Sequence, residues 1–150
     1  MLKRLLVAYY NRVWNKSELR LLPLIFADRC RIHFINSYGG ASIVWSPIDI
    51  KHDVENWRHA FPNIRININN VVCDKQFVTV HFTVQGSHTG TWKGIEPTGK
   101  TIHIEMLNMF KVEGGKICEQ WRALDLDEVV KQLTTHERIS ATTQSNYMTA

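Results

Sequence analysis

With 150 residues, 44% of them hydrophobic and 21% charged, the chain has the size and balance of one soluble globular domain with a sizeable core. Its formal net charge of +4 is scattered from Lys3 to Arg138 in no run longer than Lys3-Arg4, which argues against the concentrated basic stripe of a nucleic-acid binder. Cys30, Cys73 and Cys118 are odd in number, far apart and without a C-x-x-C, which argues against a disulfide framework or thiolate zinc site and for a reducing, cytoplasmic setting.

The opening residues Met1 to Ala8 briefly imitate a signal peptide, but the apolar run stops at Tyr10-Asn11-Arg12 and no small-residue cleavage site follows. No stretch approaches the ~18 consecutive apolar residues of a membrane span. An unexported protein without a membrane partner is expected.

Leu2, Leu5, Leu6, Tyr9 and Val13 recur at helical spacing, so the first element is an amphipathic helix ending near Trp14-Asn15. Ser17 is placed to cap a second helical segment reaching about Ala27, with Pro23 either starting or kinking its regular part. Asp28 to Asn36 reads as a short strand, followed by a turn at Ser37-Tyr38-Gly39-Gly40. A third helix starts at Ser46-Pro47. Its stripe of Ile50, Val54, Trp57 and Phe61 is ended by Pro62.

Beyond Pro62 the period drops from 3.6 to 2. Ile64, Ile66 and Ile68 open a strand reaching Val72, and Asp74-Lys75 turns the chain. Phe77 to Ser87 is a long strand with Val78, Val80, Phe82 and Val84 on one face. A Gly-rich loop from His88 to Gly99 leads to a strand over Lys100 to Val112. Gly114-Gly115 then makes a hairpin into the last strand, Lys116 to Leu124. Asp125 caps a short helix through Leu133, and the tail that follows is polar and aperiodic. The expected organisation is one domain over 1–134 and a polar tail over 135–150.

Helices first and consecutive antiparallel strands afterwards predict an α+β fold in which helices cover one face of a bent sheet. On the strand from Lys100 to Val112, Ile102, Ile104, Met106 and Phe110 share a face, yet Leu107 and Met109 interrupt the polar character of the other. A face open to water alternates more cleanly. A second copy of the chain is the expected cover, giving a homodimer through the outer sheet face.

Trp57-Arg58-His59-Ala60-Phe61-Pro62, then Gly86-Ser87-His88-Thr89-Gly90 with Gly94 and Pro97-Thr98-Gly99-Lys100, then Gly115 to Trp121 leading to Asp125 and Gln132-Leu133, form one ordered set. In these residues the chain resembles the SnoaL-like polyketide cyclases of the nuclear transport factor 2-like superfamily, from about Tyr9 to Leu133. The resemblance implies a cone of helices over a strongly curved sheet with a pocket opening into it. It also implies cofactor-free chemistry in which a carboxylic side chain on the last strand acts as general acid/base. By register that position is occupied by Arg122, with Met106 and Asn108 as its two supporting positions. An arginine stays protonated and cannot take a proton, although it can hold an enolate or carboxylate.

The candidate catalytic residues are therefore Arg122, Asn108 and His33, the last at the end of the first strand where the family often carries a polar residue or His. Tyr10, Trp14, Trp45, Met106, Phe110, Gln120, His88 and Trp92 are the candidate pocket residues. His81 and His103 have no carboxylate or Cys at ligand spacing, and no phosphate loop, H-E-x-x-H or G-x-S-x-G occurs, so neither metal nor cofactor is expected. Two readings stay open. One is a cofactor-free cyclase, isomerase, dehydratase or hydrolase acting on a small apolar or cyclic molecule. The other is a noncatalytic ligand-binding or assembly module that has lost the carboxylate.

Overall fold

The computed structural model describes residues 1–135; most of the expected tail lies outside that range. The first helix, α1 (Leu2–Ala8), does not continue as a regular α-helix. Over Tyr9–Trp14 the hydrogen bonds lengthen to the i→i+5 pattern, with Asn15 N–H donating to the Tyr10 carbonyl at 3.1 Å. Tyr9, Tyr10, Val13 and Trp14 on this wider turn are all buried.

The second helical segment is shorter than its sequence suggests. A 3₁₀ turn at Leu19–Leu21 runs into a single turn, α2 (Leu22–Ile25), with Pro23 in its first positions. Ser17 is no cap: it adopts a left-handed φ of 59° in the turn before it. The strand β1 (Phe26–Phe34) starts at once, because Phe26, Cys30 and Ile32 gain more from burial against the sheet's inner face than one further helical turn would supply. A short strand unmarked in the sequence pattern, β2 (Ser42–Trp45), pairs antiparallel with β1 at the sheet edge.

Helix α3 (Pro47–Ala60) begins with a full capping box. Ser46 N–H donates to Asp49 Oδ2 at 2.8 Å and Asp49 N–H to Ser46 Oγ at 3.4 Å. The remaining strands are β3 (Arg65–Asp74), β4 (Phe77–Ser87), β5 (Thr101–Glu113) and β6 (Lys116–Arg122), and α4 (Leu126–Thr134) closes the described chain. Asp125 caps α4 by accepting from Glu128 N–H at 3.1 Å.

The sheet order is β2-β1-β6-β5-β4-β3, antiparallel throughout except for the parallel β1–β6 pair. β4 and β5 stay in register from Phe77↔Lys111 to Ser87↔Thr101. Between β5 and β6 the register slips: Lys111 faces Glu119 but Val112 faces Ile117, leaving Cys118 as the extra residue of a bulge. That bulge turns Ile117, Gln120 and Arg122 all inward. The core lies between this concave face and the helices, which is the α+β fold that the sequence pattern predicts and the cone that the resemblance implies. No helix among the described residues is long and apolar enough to cross a membrane.

Candidate functional site

Two cavities meet inside the cone. The inner chamber measures about 60 Å³ and is walled by Ile64, Ile66, Phe82, Val84, Ile102, Ile104, Leu124 and Val129, with Tyr9, Tyr10, Trp14, Met106, Asn108 and Gln120 around it. The outer vestibule measures about 720 Å³ and is bounded by the β1–β2 segment, α3 and the loop after β4. Asp53, Trp57, Arg122 and Leu124 line both, so they form the partition between the two spaces. The chamber alone is far smaller than the few hundred Å³ of an ordinary ligand site.

Arg122 leaves the end of β6 pointing inward and is 9% exposed. Its Nη1 donates to Asp53 Oδ2 at 2.7 Å, and its guanidinium carbon sits 4.9 Å from the centre of the Trp45 ring. Burial alone pulls its proton affinity down. The Asp53 carboxylate, with Tyr9, more than offsets that, and the net direction is upward, so the cation is secure. Its Nε and Nη2 have no hydrogen-bond partner.

The chamber holds further unsatisfied groups. The Tyr10 hydroxyl and the Gln120 Oε1 are buried without a partner. Burial drives the Tyr10 phenol well above its ordinary pKa and that of Tyr9 up to about 12, so both keep their protons at neutral pH. Asn108 is 4% exposed, and its Oδ1 accepts from Ala123 N–H at 3.1 Å, extending the β5–β6 ladder where backbone pairing stops. An unpaired buried polar group costs about 1–3 kcal/mol, so a cluster of them around one small space stands out from the rest of the core.

The structure thus brings together Arg122, Asn108, Tyr10, Trp14, Met106 and Gln120 around the chamber, and sets Trp45 and Trp92 in the vestibule. Three residues singled out from the sequence lie elsewhere. His33 is on the outer face of the sheet, stacked on Trp121 at 5.1 Å, with Nδ1 2.7 Å from Ser42 Oγ and Nε2 2.5 Å from Glu119 Oε2. The inward positions on β1 are Cys30, Ile32 and Phe34, so strand alternation points His33 away from the cavity.

His88 is fully buried beneath the β4–β5 loop, where its Nδ1 accepts from Thr98 N–H at 3.2 Å and lies 3.0 Å from Thr98 Oγ1. It lines neither cavity. Phe110 is fully buried one layer deeper, its ring 6.3 Å from that of Tyr9 and 6.2 Å from that of Tyr10.

Asp53 and Tyr9 are the residues that the sequence reasoning missed. Asp53 is three positions after Ile50 and four before Trp57, on the buried side of α3, and a carboxylate on an apolar stripe is a signal in its own right. Tyr9 was read only as part of a helical stripe, because the widened turn has no local sequence marker. Among the described residues no group of three or more His, Cys, Asp or Glu is placed to hold a metal ion.

The helix-covered curved sheet with this inward-facing end of β6 defines the class, and the sequence defines the family. The chain belongs to the SnoaL-like polyketide cyclase family, whose model matches residues 4–133. Among solved structures it is similar to IdmH of Streptomyces antibioticus, assigned as a polyketide cyclase, with a TM-score of 0.75 and 23% identity over 89% of this chain and 98% of that one. It is also similar to AclR of Streptomyces galilaeus, assigned as a hydroxylase, with a TM-score of 0.78 and 17% identity over 98% and 89% of the two chains. A SnoaL-like polyketide cyclase assignment from Jannaschia sp. CCS1 gives a TM-score of 0.79 and 14% identity over 90% and 92%. Comparison with curated proteins finds no match. At these identities the neighbours speak for the fold, and their different assigned activities leave the chemistry to be argued from the site.

Proposed function

We propose that this chain is a cofactor-free acid/base enzyme acting on a small, largely apolar carbonyl compound. Asp53, carried by α3, takes the role of the carboxylate that the resemblance would place at Arg122. The observation that carries this reading is one small space that holds a carboxylate, Asp53, beside three partnerless donor groups: the Tyr10 hydroxyl and the Arg122 Nε and Nη2.

Proton abstraction next to a carbonyl needs a base at the C–H and donors at the oxygen that becomes an enolate. Asp53 meets Arg122 through one oxygen, which leaves the other for the substrate proton. Arg122 and the protonated Tyr10 then receive the developing negative oxygen in a chamber too small for much water. The apolar walls hold the short end of the substrate, and the aromatic vestibule holds the rest.

A graded series of para-substituted phenols tests the oxyanion part, because a phenolate mimics an enolate. Wild type binds the more acidic phenols more tightly, and this slope flattens in Tyr10→Phe and Arg122→Gln. A flat series in wild type contradicts the reading.

A second reading keeps its place because Asp53 is already paired with a cation: a binding module whose Asp53–Arg122 contact is only a structural lock. It is favoured if ligands bind while no proton exchange of a bound ketone exceeds the uncatalysed rate.

A further inference from the structure

Among the described residues, the vestibule carries one cation, Lys93, that no carboxylate neutralises. Lys93 and Gly94 form the two-residue tip of a tight turn closed by Trp92 and Ile95, which exchange backbone hydrogen bonds at 3.0 and 2.8 Å. Both tip residues have positive φ, 46° and 78°, the conformation that such a turn requires. The turn holds the Lys93 ammonium over the rings of Tyr38 at 4.9 Å and Trp92 at 5.7 Å, with its Nζ 2.5 Å from the Tyr38 hydroxyl.

Tyr38 is itself held at φ 49° in the turn between β1 and β2, so the two loops meet at the mouth of the vestibule. No acidic group compensates Lys93 among the described residues. The two carboxylates that line the same space are engaged elsewhere: Asp49 Oδ2 with the backbone N–H and hydroxyl of Ser46, and Asp53 with Arg122.

We infer that the vestibule selects a ligand carrying a carboxylate, which docks on Lys93 and the Tyr38 hydroxyl while the apolar remainder lies along Trp92 and Trp57 toward the chamber. This deepens the proposed function and rests on it, since it names the substrate as an organic acid and not simply an apolar carbonyl compound. The Tyr38 hydroxyl and the neighbouring Trp92 ring hold the ammonium in place but leave its charge unpaired, so a carboxylate arriving there gains an ion pair at a preorganised donor. Arg122 lies on the partition, where its free Nε and Nη2 serve the carbonyl end of the ligand, so the carboxylate end is left to Lys93.

Isothermal titration with 2-naphthoate and 2-naphthamide, which share shape and differ in charge, tests this on wild type and Lys93→Gln. Gln suits the turn no worse than Lys, and the side chain is exposed, so the variant folds. Wild type is expected to prefer the naphthoate by about fivefold at low salt, the upper range for an exposed ion pair, with the preference fading as salt rises. Lys93→Gln is expected to bind both compounds equally. Equal binding by wild type, or a preference that survives in Lys93→Gln, overturns the inference and leaves the acid/base reading intact. If neither compound binds wild type, the cavity reading falls and the inference falls with it.

Discussion

Asp53 and Arg122 are 69 residues apart in the chain and meet at 2.7 Å on the partition between the two cavities, one from the buried side of α3 and the other from the end of β6. Both are largely shielded, with side-chain exposures of 18% and 11%. Removing one partner of such a pair strands the other charge. Asp53→Ala is expected to lower unfolding stability by about 3 kcal/mol, measured by urea denaturation. Asp53→Asn keeps an acceptor for Nη1 and is expected to lose clearly less. Replacing both, as Asp53→Leu with Arg122→Met, recovers most of the loss while leaving the site without its chemistry.

Tyr10→Phe separates stability from function in the opposite sense. The hydroxyl is buried without a partner, so its removal relieves an unmet desolvation cost. The variant is expected to be at least as stable as wild type in the same denaturation experiment, while its affinity for acidic phenols falls. A marked loss of stability would show that the hydroxyl is bonded within the folded protein.

How far the fold and the site were legible from sequence depended on how local the determining signals are. Along β4 and β5 strict alternation from Val78 to Val84 and from Ile102 to Phe110 marks the inner face, and it is enough to put Asn108 on the chamber. The inward position of Arg122 is implied by the resemblance to the family, and the Cys118 bulge that turns Ile117 inward with it is invisible until the register with β5 is known. β2 has only four residues between a glycine turn and a helix cap, too short for a period to show. The place of His33 at a strand end does not fix its side of the sheet, whereas strand alternation does. Counting in steps of two from Cys30 and Ile32 would have sent it outward. Asp53 was passed over because the resemblance directs attention to the last strand, whereas the carboxylate comes from a helix that is adjacent only in three dimensions.

His88 makes stability depend on pH. It is buried, and burial is the main cause holding its pKa below the ordinary 6.5. The Thr98 N–H donates to Nδ1, which must therefore stay unprotonated. The unfolded chain takes up a proton near pH 6.5 and the folded chain does so only at lower pH, so stability contributed by the neutral ring is present above about pH 6.5 and lost as pH falls through the folded pKa. The difference in unfolding free energy between wild type and His88→Gln is expected to shrink from pH 7.5 to pH 5. A difference that is constant over this range contradicts the buried neutral histidine.

Gly90 is required by a close approach, not by its φ. A Cβ there would stand 2.2 Å from the His59 carbonyl oxygen and 3.0 Å from its carbon, both backbone atoms that cannot move aside. The same loop is tied to α3 by Thr89 and Gly90 N–H groups donating to the Ala60 carbonyl at 3.0 and 3.1 Å. Gly90→Ala is expected to cost about 3 kcal/mol by urea denaturation. Alanine at Gly94, where a Cβ meets nothing, is expected to cost less, its penalty coming only from the positive φ.

The outer sheet face leaves Leu107 55% and Val72 64% exposed, with His33 hydrogen-bonded to Glu119 and His81 to Glu105 within the face. We propose a second copy of the chain as its cover, since exposed apolar side chains on a sheet face are buried when the face meets a copy of itself. Sedimentation velocity is expected to show a dimer for wild type and a monomer for Leu107→Arg. A wild type that is monomeric at tens of micromolar contradicts the proposal.

The most direct test is the rate at which the protein places solvent deuterium at the carbon next to the carbonyl of a bound cyclic ketone, followed by NMR for wild type and Asp53→Asn at equal folded fraction. General base catalysis by Asp53 is expected to make wild type faster by at least about 100-fold. Equal rates in the two proteins, with ketone binding retained in both, would contradict the assignment of Asp53 as the base.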